Sequence, residues 1–261
     1  MRATISNRLV KNKKTAIPPG QYLYAVIDCD QERVFDWPGM DGAAIRALTD
    51  GRLAAVVSEV PNAKIRPERR RLATHHEVLK RLREQFTVLP TAFGVIAESA
   101  MAVRHILVRN RHAFLEQISR VAGKVEMGLR VSWDVPNIFE YFVDTQSELR
   151  DLRDHLFHGR QPTKDELIDL GRNFDRLLGE ERARCSRIVG QVLGARGVEI
   201  KENKPRNELE IMNLACLIGQ DAQQEFEEGI VEAARRFDNH FSFDFNGPWL
   251  PHNFVELNLE L

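Results

Sequence analysis

From Val125 onward, the order of hydrophobic periodicities constrains the fold of this chain more than any other feature. Val125-Glu-Met-Gly-Leu-Arg-Val-Ser-Trp-Asp134 alternates apolar and polar residues, the period-two signature of a strand buried on one face, and Pro136 stops it. From Asn137 to Leu193 the spacing turns helical. Ile138, Phe142, Leu149 and Leu156 mark one stretch, which Gly159 and Pro162 break. Leu167, Leu170, Phe174, Leu178, Cys185, Ile188 and Val192 mark a longer one. Thr163, three residues before Glu166, is a capping-box start, and Gly194 and Gly197 supply the stop. Val198–Lys201 and the apolar run Glu208–Gly219 then read as strands, 221–237 as a helix, and Phe241 onward as a last strand. The order β, helices, β, β, α, β predicts a ferredoxin-like domain over 124–261, with a helical insertion at about 137–196 in its first crossover.

The first half is also mixed helix and strand, in a less familiar order. Pro18-Pro19-Gly20 ends an N-terminal arm rich in Arg and Lys over residues 1–20, and Gln21–Asp28 follows as a strand. Asp50-Gly51 is a turn, and Leu53–Val60 a second strand closed by Pro61. Pro67 opens a helix whose face carries Leu72, His75 or His76, Leu79, Leu82 and Phe86. Thr87–Ile96 reads as an edge or bulged strand because of Pro90. Ser99 caps a helix that buries Val103, Ile106, Leu107, Phe114, Ile118 and Val121 and ends at Gly123. The expected class is α+β in two domains, 21–123 and 124–261.

Charge and composition exclude several functions. The formal net charge is −1, with 37 basic and 38 acidic residues, so no global field draws the chain to nucleic acid or an anionic membrane. No apolar run approaches the ~20 residues that span a bilayer. Cys29, Cys185 and Cys216 are odd in number and widely spaced, which predicts buried thiols in a reducing cytoplasm. Arg66, Arg69, Arg70 and Arg71 form the densest basic cluster, but no interleaved aromatics accompany it to stack bases, so a solvated helix face is expected.

No motif for chemistry assembles. The glycines form no phosphate cradle and the serines no nucleophile elbow. His155 and His158 are three apart without a completing ligand, so neither a metal nor a cofactor is expected. The one place where a base and a carboxylate adjoin is His75-His76-Glu77, where one ring is expected packed and the other wet. An enzyme with an unrecognised site there is the alternative to a binding protein.

The most unusual segment is Phe243-Asp-Phe-Asn-Gly-Pro-Trp-Leu-Pro-His-Asn-Phe-Val255, a strand pattern interrupted by Gly-Pro that has to bend. This block resembles the ending of the gas vesicle protein family F/L (GvpF/GvpL), with Leu250 where the family commonly has proline. Tyr22–Val26, Asp50–Ser58, His75–Val78, Val88–Gly94, Glu126–Asp134 and Leu209–Leu217 resemble the same family in the same order. Phe157-His-Gly-Arg160 only partly echoes a family segment before the helical extension. The resemblance implies a non-enzymatic accessory or minor structural protein, cytoplasmic and vesicle-associated. Its implied partners are the vesicle shell protein and other accessory proteins, not nucleic acid. It also implies an N-terminal α+β domain of unusual topology before the ferredoxin-like one. The family-motif residues Phe245, Gly247, Pro248, Trp249, Pro251 and Phe254 are expected to shape a bent terminal strand packed on the core.

Overall fold

A computed structural model describes residues 19–256. The arm read at 1–20 lies outside the described residues up to position 18. The chain divides into two compact units, with the division after Glu116.

The first unit is built on β1 (Pro19–Ile27), which is buried along almost its whole length, as a strand covered on both faces must be. β1 pairs antiparallel with β4 (Ala54–Pro61) on one side and with β5 (Val88–Pro90) and β6 (Ile96–Ala97) on the other. The hairpin β2 (Arg33–Pro38) and β3 (Ala44–Thr49) extends the sheet beyond β4, giving the order β2-β3-β4-β1-β5. Periodicity assigns no element to residues 29–49. The hairpin strands are short, one ends in proline, and the alanines of the other have weak strand preference, so cross-strand pairing decides them. The single strand expected over Thr87–Ile96 is two short pieces, because Pro90 ends the first. Helix α1 (Arg69–Arg83) packs on β1 and β5, and α2 (Ala100–Arg109) on β1, β3, β4 and β6. The turn at Asp50-Gly51 is held by its carboxylate, which accepts the Arg52 and Leu53 N–H groups at 3.0 and 2.8 Å. Ser99 caps α2 by accepting the Ala102 N–H. The helix expected to run on to Gly123 breaks at Asn110, whose amide donates to the Ile106 carbonyl and competes with the ladder, and α3 (Arg111–Val121) follows.

The second unit carries the antiparallel sheet β10-β7-β9-β8, made of β7 (Lys124–Trp133), β8 (Glu199–Asn203), β9 (Glu210–Gly219) and β10 (Phe241–Trp249). Between β7 and β8 lie α4 (Ile138–Thr145), α5 (Ser147–Phe157) and α6 (Lys164–Gly194). Gln146 adopts extended backbone between the first two, and Asn137 caps α4. α6 begins on the expected capping box, Thr163 and Glu166 each satisfying the other's backbone N–H. Helix α7 (Gln223–Ala234) joins β9 to β10. Val125, Met127, Leu129, Val131 and Trp133 of β7 meet Phe142, Phe174, Leu178, Val189, Phe226 and Ile230 of the helices in one core. By the pleat, Glu126, Gly128, Arg130 and Ser132 face the opposite side, with no helix of this core over them.

Candidate functional site

The sequence-distinctive segment 243–255 begins within β10 and, past its bend, comes to lie over that opposite face of the second sheet. Along β10, Phe241, Ser242, Phe243, Asp244, Phe245 and Asn246 pair residue by residue with Trp133 to Gly128, and the register then slips so that Trp249 stands opposite Glu126. The slip is the bend the Gly-Pro pair predicts. Gly247 has a φ of +130°, and a Cβ there would sit 2.8 Å from the Met127 sulfur and 3.0 Å from the Glu126 carbonyl oxygen, so only glycine fits. A cis peptide joins it to Pro248.

Past the bend, the chain folds back over the sheet. Leu250, Pro251 and Phe254 are buried, and the Phe254 ring, wholly inaccessible, packs with Ala215 and Leu217 of β9. Lys201 of β8 lies over the same ring at 5.7 Å and pairs with Glu256. The Glu126 carboxylate, 7% exposed, accepts the Asn253 backbone N–H at 2.8 Å and its side-chain amide at 2.6 Å. Burial pushes the Glu126 carboxyl above its ordinary value; the two Asn253 donors and Lys201 work against the shift without cancelling it.

The six motif residues therefore part company. Gly247 and Pro248 make the bend, and Pro251 and Phe254 pack. Trp249 does not: expected on the core, it is 55% exposed, and its indole N–H donates to Asn246 Oδ1 at 2.8 Å. β10 is the last strand of its sheet, so no strand lies beyond it to bury the ring. Phe245 is 40% exposed, beyond the contacts that Phe241 and Phe243 make with Phe237. Glu126, Asn253 and Lys201, which complete the fold-back, were not singled out from the sequence. One carboxylate in an alternating strand carries no mark of a partner more than a hundred residues away.

The other candidate, His75-His76-Glu77, is pulled apart by its helix. His75 is buried, with Nδ1 2.9 Å from the Tyr22 hydroxyl and its ring stacked on Tyr24. His76 and Glu77 are exposed, and Glu77 pairs with Arg81 at 2.8 Å. The helix thus does not bring the base and the carboxylate together. Around His75 the hydroxyls have fixed structural roles. Tyr22 OH accepts the Gly94 N–H, while Tyr24 OH accepts the Met40 N–H and donates to Ser58. Burial pushes the Tyr22 phenol up to about 12. It likewise pushes the Cys185 and Cys216 thiols up to about 12, against a nucleophilic role. His155 and His158 are exposed, and among the described residues no three His, Cys, Asp or Glu side chains converge as a metal requires. Arg71 of the basic cluster pairs with Asp41 and Glu68. No helix among the described residues is long and apolar enough to cross a membrane.

Comparison with known proteins adds a separate line of observation. The model of the family described as gas vesicle synthesis protein GvpL/GvpF matches residues 20–256. Gas vesicle protein F of Dolichospermum flosaquae is 24% identical over 91% of this chain and 98% of its own length. Gas vesicle protein F of a Streptomyces species is 27% identical over 81% and 88%. The crystal structure of GvpF from an Anabaena species superposes with a TM-score of 0.80 at 24% identity, covering 92% of this chain and 99% of that one.

Proposed function

The chain belongs to the GvpL/GvpF family of gas vesicle proteins, and on that premise we propose that it is a non-enzymatic accessory or minor structural protein of gas vesicle assembly. In this reading it works in the cytoplasm in association with the vesicle, binding the shell protein, other accessory proteins, or both. The observation that carries the reading is a family match running from β1 through the folded-back C-terminal block. A physical need supports it. A subunit that polymerises into a gas-facing wall carries apolar surface and strand edges that aggregate unless a partner holds them first.

Within this reading the chain has an N-terminal α+β domain of unusual topology over 21–123 and a ferredoxin-like domain over 124–261, enlarged by a helical insertion. The sheet order β10-β7-β9-β8 and the three helices between β7 and β8 support the second assignment. Of the family-motif residues, Gly247, Pro248, Pro251 and Phe254 serve the fold-back that closes over one face of that domain.

The test is co-purification of the tagged chain with the shell subunit and with each accessory protein, singly and as a reconstituted set. Retention of at least one of them through washing is the expected result. No retention in any combination sinks the proposal.

A further inference from the structure

A groove of 680 Å³ runs between the last third of α6 and the β8–β9 end of the second sheet. Ala183, Ser186 and Gly190 form its helix wall, Glu202 and Pro205 the opposite wall, and the buried Ile211 the floor. Two features make it more than a surface irregularity. The first is that β8 is an edge strand: among the described residues it pairs only with β9, so the backbone N–H and C=O groups of its other edge have no strand partner.

The second feature is charge. Arg182 and Arg187 line the groove, and Lys204 and Arg206 follow on the loop beside it. Arg182 is half-buried over the Trp133 ring, and one of its amino groups donates to the Asn207 and Glu208 carbonyls at 3.1 and 2.9 Å. Its Nε is buried without a hydrogen-bond partner among the described residues. Arg187, Lys204 and Arg206 make no ion pair among the described residues; with Arg182 they set four cations against Glu202 on the wall and Glu208 and Asp175, whose charges also act on Arg182, so the rim is basic by a small margin. Cations left unpaired beside an open strand edge repel a basic strand and reward an acidic one, so the rim selects its occupant.

We propose that this groove docks an extended acidic segment of a partner protein, which adds as a strand to the free edge of β8 and sets its carboxylates against Arg182, Arg187 and the loop cations. Main-chain pairing supplies the affinity, and the charges supply register and selection. The smooth helix wall leaves room for the side chains of the incoming strand: a Cβ at Gly190 meets no atom within 4 Å. The inference rests on reading the chain as a protein-binding assembly factor, and it assigns that role a surface.

The probe is a fluorescently labelled hexapeptide of alternating aspartate and valine, titrated with the full chain and followed by anisotropy. Its controls are the same peptide with lysine for aspartate and the same peptide N-methylated on the amides of one edge. The acidic peptide should bind, and binding should weaken as salt rises from about 0.05 to about 0.5 M. Arg187→Glu should weaken it roughly tenfold, about 1.4 kcal/mol. Gly190→Met raises helix propensity while filling the groove, so it should keep the fold and lose binding. Loss of binding on N-methylation is the signature of strand addition. The proposal is overturned if the lysine peptide binds as well as the acidic one, or if either variant or the N-methylated peptide binds within about twofold of its reference. It is equally overturned if the acidic peptide does not bind, or if the groove instead mediates dimerisation that Gly190→Met abolishes. Any of these results alongside intact co-purification with vesicle proteins removes the groove and leaves the assembly role standing.

Discussion

At the scale of single residues, exposure rather than rarity in the sequence decides what a side chain contributes. Trp249 is the most conspicuous residue of the C-terminal block, yet it is more than half exposed, whereas Phe254 is fully enclosed. Trp249→Ala is expected to cost about 0.5 kcal/mol or less and Phe254→Ala about 3 to 5, read as denaturant midpoints at unchanged m-value. Equal costs would mean that the ring of Trp249 is buried after all. Gly39 offers a second test, since a Cβ there would sit 2.3 Å from the Ser58 hydroxyl and 2.6 Å from the Tyr24 hydroxyl. Gly39→Ala should therefore cost about 1 to 3 kcal/mol through overpacking, with Ser58→Ala in the same chain recovering part of it. Glu126 carries a pH dependence whose sign follows from its raised carboxyl pKa. The folded state holds the proton more tightly than the unfolded one, so the contribution is fully present below about 4.5 and is lost as pH rises through the higher folded value. Glu126→Gln removes that dependence. Its stability relative to the wild-type chain should improve as pH is raised from 4.5 towards neutrality, and a difference that does not change with pH contradicts the account.

Among the elements, α6 has the clearest sequence signature, and its start is electrostatic as well as steric. The Arg160 guanidinium, followed by the Thr163 N–H and hydroxyl, holds the Glu166 carboxyl down at about 2. A depressed value has the opposite sign from Glu126: its contribution is present above about 4.5 and is lost as pH falls through about 2. The first turn of α6 is therefore expected to lose hydrogen-exchange protection in strong acid before its centre does. Thr163→Ala should move that loss to higher pH, because it removes one of the groups holding the carboxyl down. Protection that fades evenly along the helix would contradict this. β10 shows the reverse case, an element whose beginning reads as an ordinary strand and whose end is defined by a bend. The slip after Asn246 lets the following residues leave the edge and close over β9.

At the scale of the whole molecule, the formal charge of −1 with 75 ionisable Lys, Arg, Asp and Glu residues describes a surface of balanced charge. Solubility of the isolated chain should be lowest near neutrality and rise on either side of it, and a monotonic trend from pH 5 to pH 9 would contradict this. Much of the architecture was legible beforehand, because hydrophobic period and capping chemistry are local. Ser99, Thr163 with Glu166, and the alternation from Val125 each state their element within a few residues. The ordered family blocks likewise carried the link to gas vesicles from the sequence alone. The sequence did not disclose the hairpin β2–β3, the break at Asn110, the exposure of Trp249 or the clasp of Glu126 on Asn253. Each depends on a neighbour far along the chain: a partner strand, the absence of one beyond an edge, or a backbone N–H that only the folded-back segment delivers. By itself, then, the sequence determined most of the helices and strands and the family they compose. Which faces close, which edges stay open and which cations go unpaired was decided by tertiary structure, because those properties belong to pairs of residues brought together only by folding.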